Sequence, residues 1–218
     1  MKKRLGSIIM CLALPLFLAP PLTAQLWYFP DFALPSSSGE PATWLAATYG
    51  RGLNEASAEV DAFGASIGRT AERVSFMGAF GYISEGDDEF TVGASLGLDL
   101  NTGDGPRFSA QVGVGWIDFD FFGETVTFWR FPIGLAVKGN VGSGSTAVTP
   151  WVMPRLNIAV ASGAGDSETE TDPGISGGVS MTTAGGFGVH GALDAWFGDD
   201  DTAWQLGLGF HYVLGRQN

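Results

Sequence analysis

The residues best suited to ion chemistry are the two histidines, His190 and His211, together with the carboxylate Asp194. In an extended chain His190 and Asp194 fall on one face. A turn centred between Asp200 and Asp201 sets His190 opposite His211, with Asp194 two same-face steps away. Two imidazoles and a carboxylate are a donor set for a transition metal. The same side chains also make a hydrogen-bonded network, the preferred reading with only three ligands in view. A second group is cationic: Arg130, Arg155 and Asn157. If the chain turns near 143–144, Asn157 opposes Arg130 and Arg155 lies diagonal to it. In a pore these arginines form an anion-attracting constriction. In a closed interior they form a polar plug that needs acidic partners, and the plug is preferred. Asp99 and Arg107 read as a cross-strand ion pair. Gly186, Gly188 and Gly191 spell G-x-G-x-x-G, but no helix follows, so a dinucleotide site is discounted. No nucleophile arrangement and no cofactor is indicated.

Strands must position these residues. The stretch 90–100 puts Phe90, Val92, Ala94, Leu96, Leu98 and Leu100 on one face and small or polar residues on the other. In 107–118, Phe108, Ala110, Val112, Val114 and Trp116 alternate with Ser109, Gln111, Gly113 and Gly115. In 128–138, Trp129, Phe131, Ile133, Leu135 and Val137 alternate with Arg130, Pro132, Gly134 and Lys138. In 204–214, Trp204, Leu206, Leu208, Phe210 and Tyr212 alternate with Gln205, Gly207, Gly209 and His211. Alternation this regular is a strand signal. Ten strands are expected, at 43–51, 57–69, 73–84, 89–100, 107–118, 126–139, 147–161, 174–183, 186–197 and 202–214, with eight as the alternative count. The register of the second strand stays open, because Glu59 and Asp61 share a face with Phe63 and Ile67.

The ends and the composition say where such strands belong. Lys2, Lys3 and Arg4 precede an apolar run from Ile8 to Ala19, and Ala24 offers a cleavage site, so residues 1–24 read as a signal peptide. An uncleaved anchor is the alternative. Cys11 lies within the apolar run, leaving no cysteine after cleavage and hence no disulfide in an exported protein. Removing three cations and no acid takes the net charge from −12 to −15, which excludes a nucleic-acid partner. Residues 25–42, with Pro30, Pro35 and Pro41, read as an irregular periplasmic lead-in, and 43–218 as one domain. Apolar residues make up 45% of the chain and glycine is abundant at 33, yet no apolar run after residue 24 reaches helix-spanning length. Only helices and closed barrels satisfy their backbone in lipid, so a membrane protein of this kind is a β-barrel. The small, weakly charged second face suits a lumen better than a water-exposed surface. Phe108 and Trp116, and Trp204 and Tyr212, are spaced to span an apolar band between aromatic girdles. A soluble lipocalin-like ligand binder, with the apolar face turned inward, is the competing architecture.

The connections divide into two sets. RGLNEA, SEGDDE, DFDFFGET, ASGAGDSETETDPG and GDDDT carry the acidic stretches, and the fourth implies a long loop over 161–174. RTAER, LNTGDGP, GNVGSGST and TAGG form the other set. Long outer loops and short periplasmic turns are the asymmetry of outer-membrane barrels. The acidic set is therefore expected outside, where solvation is its simplest role and binding of divalent cations among lipopolysaccharide the alternative.

The last strand carries Gln205, Gly207, Phe210 and Tyr212, which resembles the polar-x-Gly-x-x-aromatic-x-aromatic signal read by the outer-membrane barrel assembly machinery. The chain beyond the signal peptide resembles small opacity-type outer-membrane barrels of Gram-negative bacteria. Members usually end on the final aromatic, whereas Val213 to Asn218 follow here.

The expectation is thus an all-β, closed, antiparallel transmembrane β-barrel in the cell outer membrane. It is a non-enzymatic monomer that contacts outer-membrane lipids and lipopolysaccharide. Its role is either a narrow pore with a small solute as partner, or a surface and structural one. An outer-membrane enzyme acting on lipid or peptide is the alternative. That reading requires a histidine–carboxylate group at an accessible rim, and no short His-x-Ser pattern exists.

Overall fold

The computed structural model describes residues 41–57, 59–84, 89–101, 105–121, 124–141, 145–163, 166–198 and 201–214. The expected signal peptide (1–24) and nearly all of the expected lead-in (25–42) lie outside the described residues. Ten strands follow in chain order: β1 (Ala42–Gly52), β2 (Asp61–Ala71), β3 (Val74–Ser84), β4 (Glu89–Asp99), β5 (Arg107–Phe121), β6 (Glu124–Lys138), β7 (Thr146–Gly163), β8 (Asp166–Thr183), β9 (Phe187–Phe197) and β10 (Thr202–Leu214). Each pairs antiparallel with its sequence neighbours, and β1 pairs with β10, which closes the barrel. Closure leaves no sheet edge around the wall, the condition for crossing a bilayer with strands.

Two boundaries differ from expectation by four residues or more, the starts of β2 and of β8. β2 begins at Asp61 rather than 57, because Glu55–Ser57 form a 3₁₀ turn and Glu59 has φ 50°. Glu59 is therefore outside the strand, and Asp61 sits at the rim on the outward face. There it accepts a 2.6 Å hydrogen bond from the Tyr49 hydroxyl and lies 3.7 Å from Arg51. The expected loop over 161–174 is instead largely strand: β7 runs to Gly163 and β8 starts at Asp166, each 18 residues long. Pairing of β8 with β9 begins only at Gly174, so 166–173 extends past β9 as the outermost strand of a ribbon whose β7 residues are paired in turn with β6.

The alternation resolves with the apolar face outward. Phe90, Leu96, Val112, Ile133, Leu135, Leu156, Leu193 and Leu208 are all exposed. Aromatic rings concentrate toward both ends. Phe76, Phe108, Phe187, Phe210 and Tyr212 lie toward the end where β1 begins and β10 stops, and Tyr49, Phe63, Tyr82, Phe90, Trp129 and Trp204 lie toward the other. Soluble proteins do not surround themselves with such a surface. An apolar band flanked by aromatics is that of a barrel in lipid, and the lipocalin-like alternative, with its apolar face inside, is overturned. Among the described residues no helix is long and apolar enough to cross a membrane; this wall crosses with strands.

The lumen is packed. Trp44, Ala46, Met77 and Val213 close it at the end where β1 begins. Val60, Ala62, Ile83, Ile117, Ala136, Trp151, Met153 and Ala192 form the largest internal cluster. The 3₁₀ turn folds inward at the opposite end, where Ala56 packs on Trp196 and Ala203. Asn54 ties that turn to β10: its Nδ2 donates to the Thr202 carbonyl (2.7 Å), and its Oδ1 accepts from the Trp204 amide (3.0 Å).

Candidate functional site in the lumen

Arg130 on β6 and Arg155 and Asn157 on β7 all point inward and are buried, at 1%, 5% and 1% exposure. The register differs from expectation by two residues: Arg130 stands opposite Ala159, Asn157 opposite Pro132, and Arg155 opposite Gly134. A two-residue slip keeps every side chain on its own face and changes only its partner. The side chains therefore share the lumen, but Asn157 is diagonal to Arg130 rather than across from it.

What holds the arginines is a pair of residues on β9 that the sequence reading did not connect with them. Arg155 forms a buried salt bridge with Asp194. The second carboxylate oxygen accepts from the Ser176 hydroxyl at 2.8 Å, and the Trp196 indole N–H also donates to Asp194, at 2.6 Å. The guanidinium of Arg130 lies 3.0 Å from the centroid of the Trp196 ring, and that of Arg155 4.6 Å from it. Two cations thus lie against one indole, whose π system attracts both, while the Asp194 carboxylate neutralises Arg155. The readable signal was Asp194 and Trp196 two residues apart on an inward face, a carboxylate beside an aromatic. Next to this stack, a cavity of about 10 Å³ is lined by Ser95, Gln111, Gly113, Pro132, Gly134, Met153 and Arg155, among others. That is the space of about one water molecule.

The three-ligand metal set, the alternative to a hydrogen-bonded network, does not assemble. The turn between β9 and β10 places His190 opposite Gly209 and His211 opposite Gly188, again a two-residue difference from expectation. Asp194 faces Gln205 and is committed to Arg155. Among the described residues, no group of three or more His, Cys, Asp or Glu side chains is placed to share an ion. The two imidazoles do meet, Nδ1 to Nδ1 at 3.2 Å, and each Nε2 contacts a threonine hydroxyl: Thr48 for His190 (3.1 Å) and Thr182 for His211 (2.8 Å).

The Asp99–Arg107 pair forms as expected, at 3.6 Å, with Lys138 opposite Arg107 on β6. The glycine triplet is structural. Gly186 takes φ 84° in the β8–β9 turn, a conformation other residues resist. Gly188 leaves room for the His211 ring, and Gly191 lies within β9. Of the assembly-signal residues, Gln205 and Gly207 face inward, and Phe210 and Tyr212 are exposed outward, at 60% and 46%.

No family model matches the chain, and no curated protein matches it. Solved structures do resemble it. The N-terminal β-barrel domain of Pseudomonas aeruginosa OprF is 16% identical, over 79% of this chain and 97% of that one, with a TM-score of 0.40. Neisserial surface protein A is 16% identical, over 82% and 99%, with a TM-score of 0.41. The translocator domain of the autotransporter NalP from Neisseria meningitidis is 12% identical, over 83% and 90%, with a TM-score of 0.48. These likenesses concern the form of the barrel and carry no residue correspondence. From its own closed wall and outward apolar band, the chain is a ten-stranded antiparallel β-barrel of the outer membrane.

Proposed function

We propose that this barrel is a non-conducting, non-enzymatic surface and structural element of the outer membrane, closed by its own side chains. The observation that carries the reading is the buried stack of Arg130, Trp196, Arg155 and Asp194, set between an apolar closure at one end and the Ala56 cap at the other. Charges in a conducting constriction stay hydrated and exchange partners with the passing ion. Here the Arg155 charge is desolvated and matched inside the protein, as in a plug. Enzymatic work on lipid or peptide is disfavoured by the placement of the histidines, which are buried against each other and two threonines, with the nearest inward carboxylate of β9 already paired to Arg155. On the pattern of its last strand, Gln205, Gly207, Phe210 and Tyr212, we place the chain with opacity-type barrels. We assign its insertion to the barrel assembly machinery, and its outer acidic segments to contact with lipopolysaccharide and solvent.

The test is single-channel recording in planar bilayers. The wild-type barrel is expected to show no unitary conductance, and the Arg130→Ser, Arg155→Ser double variant to lower unfolding stability. Reproducible anion-selective steps from the wild type, reduced in the double variant, would replace the plug with a pore.

A further inference from the structure

His190 and His211 are joined in a way that a simple polar filler does not require. Each ring lies across the backbone of the neighbouring strand at a glycine. A Cβ at Gly209 would collide with the His190 ring, and one at Gly188 with that of His211. The rings meet at a centroid distance of 5.5 Å and an angle of 31°. Their Nδ1 atoms are 3.2 Å apart, and their Nε2 atoms are held by Thr48 on β1 and Thr182 on β8. All four side chains are at least nine-tenths buried. The pair is thus positioned by four consecutive strands of the wall, β8, β9, β10 and β1.

We propose that His190 and His211 form a two-histidine site for a divalent transition-metal ion of tetrahedral preference, Zn²⁺ first. Zinc–nitrogen bonds of about 2.0–2.1 Å at tetrahedral angles put neighbouring ligand nitrogens about 3.3 Å apart, against 3.2 Å here. Square-planar copper, with nitrogens in adjacent positions at about 2.8 Å, fits less well. Without metal, one Nδ1 carries a proton and donates it to the other. On binding, that proton passes to Nε2 of its own ring, the threonine hydroxyl there turns from donor to acceptor, and both Nδ1 lone pairs face the ion. No net proton is released. Both Nε2–H groups then donate to threonine, the outer-shell support that fixes the tautomer of ligating histidines. The remaining two coordination positions belong to water or a small solute, so affinity falls below that of four-ligand structural zinc sites. Asp194 takes no part. The site is independent of whether the lumen conducts.

The chain has two histidines in all, so their imidazole signals report this site alone. Tag-free barrel protein extracted from membranes is titrated with Zn²⁺ in detergent micelles, followed by calorimetry and by long-range ¹⁵N spectra of the imidazoles. In a second arm it is refolded with Zn²⁺ present, so that slow entry to a buried site is separated from the lack of one. The expected result is one zinc per barrel, with both Nδ1 resonances moving to the metal-bound position and both Nε2 protonated in the bound state. His190→Gln and His211→Gln should each weaken binding at least tenfold, Thr182→Val should weaken it less, and Mg²⁺ should not compete. Unmoved Nδ1 resonances in the wild type in both arms would overturn the proposal, as would zinc binding that the double glutamine variant leaves unchanged.

Discussion

Asp194 shows what a period-two pattern can and cannot specify. Its inward direction was legible, because its apolar neighbours alternate about it, but its partner was not. A slip of one residue turns a strand inside out and is forbidden by the lipid, whereas a slip of two is invisible to the pattern. Both misjudged registers, β6 with β7 and β9 with β10, are of this second kind. They moved Asp194 from the histidines to Arg155. Removing one member of a buried ion pair leaves an uncompensated charge and costs about 3–5 kcal/mol. Asp194→Ala should therefore lower the unfolding free energy of the barrel in detergent or vesicles by about that amount. The double variant Asp194→Leu, Arg155→Met should recover most of it, since apolar replacements of similar volume are tolerated where a lone charge is not. Chemical denaturation of the three proteins in one membrane mimetic checks this. Gln205 gives the opposite case. Its amide is fully buried and makes no hydrogen bond among the described residues, and a buried amide without a partner costs about 1–3 kcal/mol. Gln205→Leu should leave the refolded barrel as stable as wild type or more so. If Gln205 acts in the assembly signal, the same change should reduce the amount inserted in cells. Refolding stability and cellular insertion, measured on the one variant, separate the two roles.

At the scale of elements, all ten strands could be read, and the boundaries failed where composition and periodicity disagree. Asp166 to Pro173 is acidic and rich in Ser and Thr, the composition of a loop. Yet Asp166, Glu168, Glu170 and Asp172 alternate with Ser167, Thr169 and Thr171, which is itself a strand pattern. In the structure the period won. The carboxylates share one side of the ribbon and are spread along it, with Ala159, Ala161 and Gly163 of β7 paired to Glu170, Glu168 and Asp166. The 3₁₀ turn was missed for a different reason: three residues leave no periodic trace, and its place is fixed by Asn54 reaching to β10. Orientation belongs to this scale as well. The ribbon and the short β8–β9 turn through Gly186 lie at opposite ends of the barrel, and long projections mark the outer side. An epitope inserted beside Glu168 should be stained on intact cells, and one inserted at Gly185 only after permeabilisation. The reverse pattern would turn the barrel over.

At the scale of the molecule, one division of labour accounts for the sequence. Alternate residues serve lipid, and the residues between them serve a lumen filled by apolar clusters, a matched ion group and hydrogen-bonded histidines. The abundant glycine belongs to the second set where bulky lumen groups cross a neighbouring strand, as at Gly188 and Gly209. The central claim is the direction of the apolar face, because the closed barrel, the membrane and the packed interior all depend on it. It is tested by single cysteines at Val112, Leu135 and Leu208, exposed at 48%, 57% and 49%, and at Ser109 and Gln111, exposed at 1% and 8%. Each is labelled with a small fluorophore and reconstituted in vesicles containing lipids brominated along the acyl chain. Strong quenching at the first three positions and little at the last two is the result this architecture predicts. Quenching confined to Ser109 and Gln111, or lacking at all five, would contradict it.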